Sequence, residues 1–226
     1  MQIIEMGEER NRVIVLDDFL EYPKVLVDFA RRAEFTPYPI AVERKGYPGV
    51  RAAAPPNYGE LVRSRVDSIV RSQFQISAQD ELKTYQEALN LISVPEERLG
   101  PLQRIPHFDA SDPQFFAVLL YLCDDSHGGT GFYRHNSTGF ESITPERCDR
   151  YLDCCFEELN SNRRPKKYFS ESDDLFTKVG FVSARFNRLV IYRGGMLHSA
   201  NISGNHSISR SPDSGRLTAN VFIGYV

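Results

Sequence analysis

The rhythm of apolar positions changes near residue 83. Before it, a short strand is expected at residues 13–16. Val25, Leu26, Phe29 and Ala30 then fall at helical spacing, on a helix expected to end near Ala33. Residues 60–74 repeat that spacing, with Leu61, Val66, Ile69 and Val70 apolar. Between the two helices, residues 38–56 are rich in Pro, Gly and Ala without a period, and an extended loop is expected. From residue 83 onward the pattern is that of strands, at 85–94, 103–109, 115–123, 130–135, 179–184, 188–193, 197–202 and 216–226. Residues 144–160 interrupt them as a helix, opened by Thr144 with Pro145 in its first turn. Many short strands with Gly and Asn turns predict a mainly β protein with supporting helices, a barrel-like double sheet or jelly roll.

Composition narrows the function classes. The chain has 226 residues, 41% of them hydrophobic, which suits one generous domain with a proper core. A net charge of −3 provides no basic field for nucleic acid or an anionic membrane. The basic stretch at 163–167 is short and reads as a solvated loop. The longest apolar run, 115–123, is too short to span a bilayer, and residues 1–12 lack the apolar core of a signal peptide. The four cysteines, Cys123, Cys148, Cys154 and Cys155, show no C-x-x-C spacing, so a reducing cytoplasmic setting is expected.

The candidate chemistry lies in the strand-rich part. His107-Phe108-Asp109 places an imidazole and a carboxylate two residues apart, on one face if the segment is a strand. His198, far downstream, would complete two nitrogens and one oxygen on a single face of a metal, leaving three positions open. Such a tripeptide is close to expected by chance with five histidines and 30 acidic residues, so its neighbours must decide. Arg216 opens the last strand and is placed to hold the anionic tail of a co-substrate.

Those neighbours recur in a recognisable order. After His107-Phe108-Asp109 come Tyr121-Leu122, then Gly128-Gly129-Thr130-Gly131, then Phe186-Asn187-Arg188-Leu189-Val190-Ile191-Tyr192 ahead of His198, then Arg216-Leu217-Thr218. In this the chain resembles the Fe(II)/2-oxoglutarate-dependent dioxygenases, specifically their prolyl-4-hydroxylase-like branch, over residues 83–226. The resemblance implies one oxygenase domain over 1–226, with 1–82 as N-terminal support and 83–226 as a double-stranded β-helix of the cupin-like kind. It implies that His107, Asp109 and His198 bind Fe(II). Arg216, Thr218 and Tyr121 would receive the distal carboxylate of 2-oxoglutarate, and O2 and a small-molecule or peptidyl substrate would complete the reaction.

Each assignment has an ordinary alternative. Tyr121 and Thr218 also read as core strand residues. Arg210 competes with Arg216 for the carboxylate but stands in an irregular loop. His127, His135 and His206 read as solvated loop histidines. Residues 44–51 form a candidate substrate rim through Tyr47 and Arg51, or a plain surface loop. The chain departs from the family at Cys123, where an asparagine is usual, in a longer loop between His198 and Arg216, and in a helical insert at 144–178. The insert's Tyr151, Leu152, Cys154, Cys155 and Phe156 read as packing residues, with a lid or a homodimer contact as the other uses. Two rival functions keep the fold: a ligand-sensing module without turnover, and a cupin-type metalloenzyme that does not use 2-oxoglutarate.

Overall fold

The computed structural model describes residues 1–37, 47–161, 164–202 and 208–226. Eleven strands and three helices occur among them. The strands are β1 (Gln2–Met6), β2 (Asn11–Leu16), β3 (Thr36–Pro37), β4 (Gly49–Ala53), β5 (Leu82–Ile92), β6 (Phe115–Tyr121), β7 (Gly129–His135), β8 (Phe176–Ser183), β9 (Arg188–Arg193), β10 (His198–Asn201) and β11 (Leu217–Tyr225). The helices are α1 (Lys24–Arg32), α2 (Tyr58–Phe74) and α3 (Pro145–Ser161). Eight strands form one antiparallel sheet in the order β1-β2-β9-β6-β11-β5-β4-β3, and β10-β7-β8 form a second.

Side-chain alternation explains how the layers stack. Along β11, Leu217, Ala219, Val221 and Ile223 join Leu89 and Leu91 of β5 and Leu120 of β6 in one core. That core also takes Leu26 and Ala30 of α1 and Val62, Val66, Val70 and Phe74 of α2, so both helices cover the outer face of the large sheet. The four-residue spacing in α2 sets these side chains on one stripe. Burying each valine contributes about 1.5–3 kcal/mol before entropy is counted. The alternate positions, Val13, Val15, Ala117, Leu119, Tyr121, Val190 and Tyr192, meet Phe132 and Val182 of the small sheet in a second core. Within the same interior the buried Arg216 and Thr218 lie beside Tyr121 of this core.

The helical insert packs behind the small sheet. Tyr151 and Cys155 of α3 are buried with Ile105, Tyr133, Phe169, Phe176 and Leu197. Leu152 and Phe156, each one residue further on and turned about 100° round α3, are exposed instead.

Two local expectations need correction, and one strand was not anticipated. Residues 49–53 are strand β4, not loop, because Val50 and Ala52 alternate into the helix-side core. Residues 2–6 form an edge strand, β1, that the charged N-terminal sequence concealed. Residues 103–109 are not a continuous strand: Pro101–Arg104 is a short 3-10 turn, and His107 makes only an isolated antiparallel bridge to His198.

The Phe186-Asn187 turn is set by a single residue. Asn187 takes a left-handed conformation at φ 64°, which asparagine tolerates. Its amide accepts from the Leu20 backbone N–H at 2.9 Å and donates to the Leu20 carbonyl at 2.8 Å. The next residue, Arg188, pairs with Asp17 through two bonds of 2.6 and 3.0 Å. This turn thereby ties the N-terminal strands to β9, which leads to the distal histidine.

Candidate metal and co-substrate site

His107, Asp109 and His198 come together although His107 and Asp109 are not in a strand. The His107 and His198 backbones exchange two hydrogen bonds of 2.8 Å, and the Asp109 N–H donates to the Gly194 carbonyl at 2.7 Å. Phe108, between the two ligand candidates, turns the other way and meets the ring of Tyr151 edge-on at 5.9 Å. The insert helix thus holds the His-x-Asp segment from behind. Gly195 permits the close turn into β10: a Cβ there would lie 2.5 Å from the Ile143 carbonyl oxygen.

The donor atoms are near one another but not bonded to one another. Asp109 Oδ2 lies 3.6 Å from His198 Nε2, and Asp109 Oδ1 lies 3.9 Å from His107 Nε2. His198 Nδ1 donates to the Met196 carbonyl at 2.8 Å, which leaves the Nε2 lone pair directed at the cluster. All the ligand atoms fall within 4.8 Å of one another. The two rings meet at 4.3 Å between centroids.

Burial pushes the His198 imidazole down to about 4, against which the Met196 carbonyl acts. His107 moves the same way, through burial, the nearby His198 and Arg51, with Asp109 opposing. Its side chain is 55% exposed, so water screens the effect there. Burial raises the Asp109 carboxyl, while His107 and Arg51 pull it back. Two neutral imidazoles and one carboxylate are the donor chemistry that a borderline divalent ion takes.

Arg216 lies on the inner face and is 2% exposed. Its Nη2 donates to the Gly129 carbonyl at 2.9 Å, and its guanidinium lies 5.3 Å from the centre of the Tyr121 ring. Among the described residues no carboxylate pairs with it, and its Nε has no hydrogen-bond partner. A buried cation in that state is costly unless an anion completes it. Arg210, the competing arginine, is exposed.

Thr218 is buried two residues on, on the same face as Arg216, and faces Tyr121 across the β11–β6 ladder. The Tyr121 phenol shares a 2.6 Å hydrogen bond with the Thr130 hydroxyl, and burial raises its pKa, so it keeps its proton. The residues therefore suit a dicarboxylate held at one end by a metal and at the other by Arg216.

Other polar residues here escaped the sequence reading. Asn90 is buried on β5 beside Thr218, and its Oδ1 has no partner among the described residues. Its signal was a lone amide inside the apolar run Leu89-Asn90-Leu91-Ile92. Tyr192, the last residue of the motif ahead of the histidine, meets the His198 ring at 4.9 Å, a contact the motif did not assign. His135 needs correction: it is fully buried at the end of β7, not a solvated loop residue. His127 bonds to Asp124 and to the Ser214 carbonyl, away from the triad. His206 and the rim residues Arg44, Lys45 and Gly46 lie outside the described residues.

DUF6445, a family of unknown function, matches residues 1–223. The chain belongs to that family. No curated protein matches it. Among solved structures it is similar to SnoN, the non-heme α-ketoglutarate-dependent epimerase from nogalamycin biosynthesis, with a TM-score of 0.54 at 12% identity, over 95% of this chain and 78% of SnoN. It is equally similar to HygX from Streptomyces hygroscopicus, seen with nickel, 2-oxoglutarate and hygromycin B, with a TM-score of 0.54 at 10% identity, over 96% of this chain and 84% of HygX. These likenesses establish the double-stranded β-helix fold. Neither protein is described as a prolyl hydroxylase. No described helix is long and apolar enough to cross a membrane.

Proposed function

We propose that this DUF6445 protein is an Fe(II)- and 2-oxoglutarate-dependent oxygenase, a hydroxylase of an amino-acid-like, peptidyl or small-metabolite substrate. One observation carries the reading: three ligand-type side chains, not bonded to one another, lie in the same site as a buried arginine that no carboxylate among the described residues neutralises. The order of motifs, close to that of the prolyl-4-hydroxylase-like branch, supports hydroxylation over other oxidations. Shared fold alone does not fix chemistry, so the site residues bear the argument.

His107, Asp109 and His198 would hold the iron, which with 2-oxoglutarate and O2 supplies the oxidising chemistry for a C–H bond. The chain's own residues do the rest. The Met196 carbonyl keeps the His198 proton on Nδ1, so that Nε2 stays a lone-pair donor. The Arg216 guanidinium would receive the distal carboxylate, which also offsets the cost of burying the cation. The Thr218 hydroxyl and the Tyr121 phenol would donate to the same carboxylate. If the Thr130 hydroxyl donates to Tyr121, the phenol proton is released for this purpose.

The test is spectroscopic. Anaerobic protein with Fe(II) and 2-oxoglutarate is expected to show a weak charge-transfer band in the visible, and succinate is expected once O2 is admitted. A colourless wild-type complex would sink the co-substrate assignment, leaving a metalloenzyme of another kind. Arg216→Ala is expected to keep iron and to weaken 2-oxoglutarate by about 2 kcal/mol or more. An undiminished co-substrate affinity in that variant would move the anchor elsewhere.

A further inference from the structure

Two amide oxygens on the inner face of the large sheet have no donor. Leu89 and Leu91 of β5, and Ala219, Val221 and Ile223 of β11, face the helix-side core. Asn90, Asn220 and Phe222 between them therefore take the opposite face. Arg51, Asn90, Thr218 and Tyr121 follow one another across β4, β5, β11 and β6. Asn220 stands one step along that face, opposite Ala88 on one side and Leu119 on the other. Asn90 and Asn220 are thus diagonal neighbours, with roughly 7–8 Å between their α-carbons.

Their hydrogen bonding is one-sided. The Asn90 Nδ2 donates to the Ala88 carbonyl at 3.0 Å. A carbonyl only accepts, so the amide nitrogen belongs there and Oδ1 turns elsewhere. Asn90 is 1% exposed, and its Oδ1 meets no donor among the described residues. The half-buried Asn220 keeps its Oδ1 buried, also without a donor among them. Buried acceptors in that state are costly until a donor arrives.

Short contacts tie the same face to the metal triad. Phe222 stacks on Phe115 with ring centres 5.5 Å apart, and Tyr85 meets Phe115 at 5.4 Å. The Phe115 ring lies over Gly194, where a Cβ would come within 2.5 Å of it. Gly194 is the residue whose carbonyl accepts the Asp109 N–H at 2.7 Å. On β6, Ala117 stands opposite both Phe222 and Tyr192, and the Tyr192 ring meets His198. Asn220 therefore lies between Thr218, at the co-substrate end of β11, and Phe222, at the triad end.

The chemistry of these groups selects a ligand. 2-Oxoglutarate, ionised at both ends, has only acceptors and satisfies neither amide oxygen. A carboxylate or phosphate on the substrate would set acceptor against acceptor. A primary ammonium has three N–H donors and no acceptor, enough for both oxygens. Beside it, Tyr85 is 54% exposed and Phe115 and Phe222 are half-buried, a row of rings open to an apolar body. Two residues of strand separate Asn220 from Phe222, about 7 Å, the span of an amine joined to one ring by a short chain.

We propose that Asn220, together with Asn90, is a specificity-determining residue that receives the ammonium group of the substrate, while Phe222 takes its ring. The inference rests on the oxygenase reading above and names the substrate class for it: a primary amine carrying an aromatic ring.

The test uses the full chain loaded with Fe(II) and 2-oxoglutarate without oxygen. It is titrated by calorimetry with 2-phenylethylamine, 3-phenylpropionate and n-butylamine. The arylamine is expected to bind about tenfold tighter than the acid, which lacks the donors, and tighter than butylamine, which lacks the ring. Asn220→Leu is expected to erase the preference for amine over acid, and Phe222→Ala the preference for ring over chain. Asn220→Asp keeps the shape, adds a negative charge and is expected to tighten the amine further. An arylamine that does not bind, or binds no better than either other compound, would overturn the proposal. So would a preference for amine that survives Asn220→Leu, or an amine weakened by Asn220→Asp. Loss of the visible band in Asn220→Leu would overturn it as well, by placing Asn220 in the co-substrate site. Absence of the band in the wild type is a separate result, which defeats the oxygenase reading itself.

Discussion

Two groups of three metal-ligand-type residues lie together among the described residues, and they are built in opposite ways. In the first, His107, Asp109 and His198 stand 3.6 Å or more apart at their donor atoms, held in place by backbone bonds. In the second, His135, Cys154 and Glu158 also lie within 4.8 Å of one another. There His135 Nε2 bonds directly to Glu158 at 2.8 Å, and Nδ1 bonds to the Thr138 hydroxyl at 2.9 Å. Ser137 takes the other oxygen of Glu158, and the Cys154 thiol reaches it as well. The second cluster is closed by its own hydrogen bonds and fastens α3 to the end of β7. The first is fixed from outside and leaves its lone pairs converging. Proximity of ligand-type residues therefore says less than whether their lone pairs are already engaged.

The largest expected contrast is in metal content. His198→Ala is expected to abolish Fe(II) retention and the charge-transfer band, whereas His135→Ala should leave both as in the wild type. Metal analysis after dialysis decides it, and iron lost on changing His135 would make the two clusters functionally alike.

Stability is expected to invert the order. His135→Ala removes a fully buried ring and strands the Glu158 carboxylate, at a cost of about 2–4 kcal/mol in denaturant unfolding. A cost below about 0.5 kcal/mol would mean that the clip does not fasten the helix.

Acid should separate the clusters in the metal-free protein. His198 is held down from 6.5 to about 4, so the unfolded chain binds its proton first. Stability is expected to fall as pH drops from 6.5 towards 4, and saturating Fe(II) should oppose that fall. Glu158 is also lowered, but from a carboxylate's starting value, so its window lies further into acid. Burial raises its carboxyl, but bonds from Ser137 and His135 outweigh this and lower it. Its contribution is present above its usual 4.5 and is lost only as pH falls below that value. Hydrogen exchange along α3 should therefore change little where the triad already weakens the fold; early loosening of α3 near pH 6 would contradict the assignment.

The smallest effect is expected at Cys154. Cys154→Ser should change stability by about 0.5 kcal/mol or less and leave metal content alone. A zinc ion that co-purifies with the wild type and disappears in this variant would turn the clip into a second metal site.

The same comparison shows what was legible in the sequence. α1, α2 and α3 and most core strands follow from apolar spacing, because their buried positions repeat at short range. That His107, Asp109 and His198 lie together agrees with the motif order, and Arg216 is buried just ahead of β11. The burial of His135 was not legible, because its sequence neighbours Asn136, Ser137 and Thr138 are polar. What buries it is α3, whose contact with β7 is set by tertiary packing. Arg51 was half legible: its strand is short, and its inner-face direction depends on pairing with β5, which lies beyond the whole of α2.

The paired backbone bonds between His107 and His198 have a thermodynamic consequence. An unfolded chain offers Fe(II) one adjacent His-x-Asp pair but no second imidazole, since His198 reaches the first pair only through the finished sheet. Iron would thus recognise the native state almost alone. Each tenfold rise of free iron above its dissociation constant would add about 1.4 kcal/mol to folding. On this reading the protein's lifetime follows the iron supply, and scarcity would thin its population before it slowed turnover.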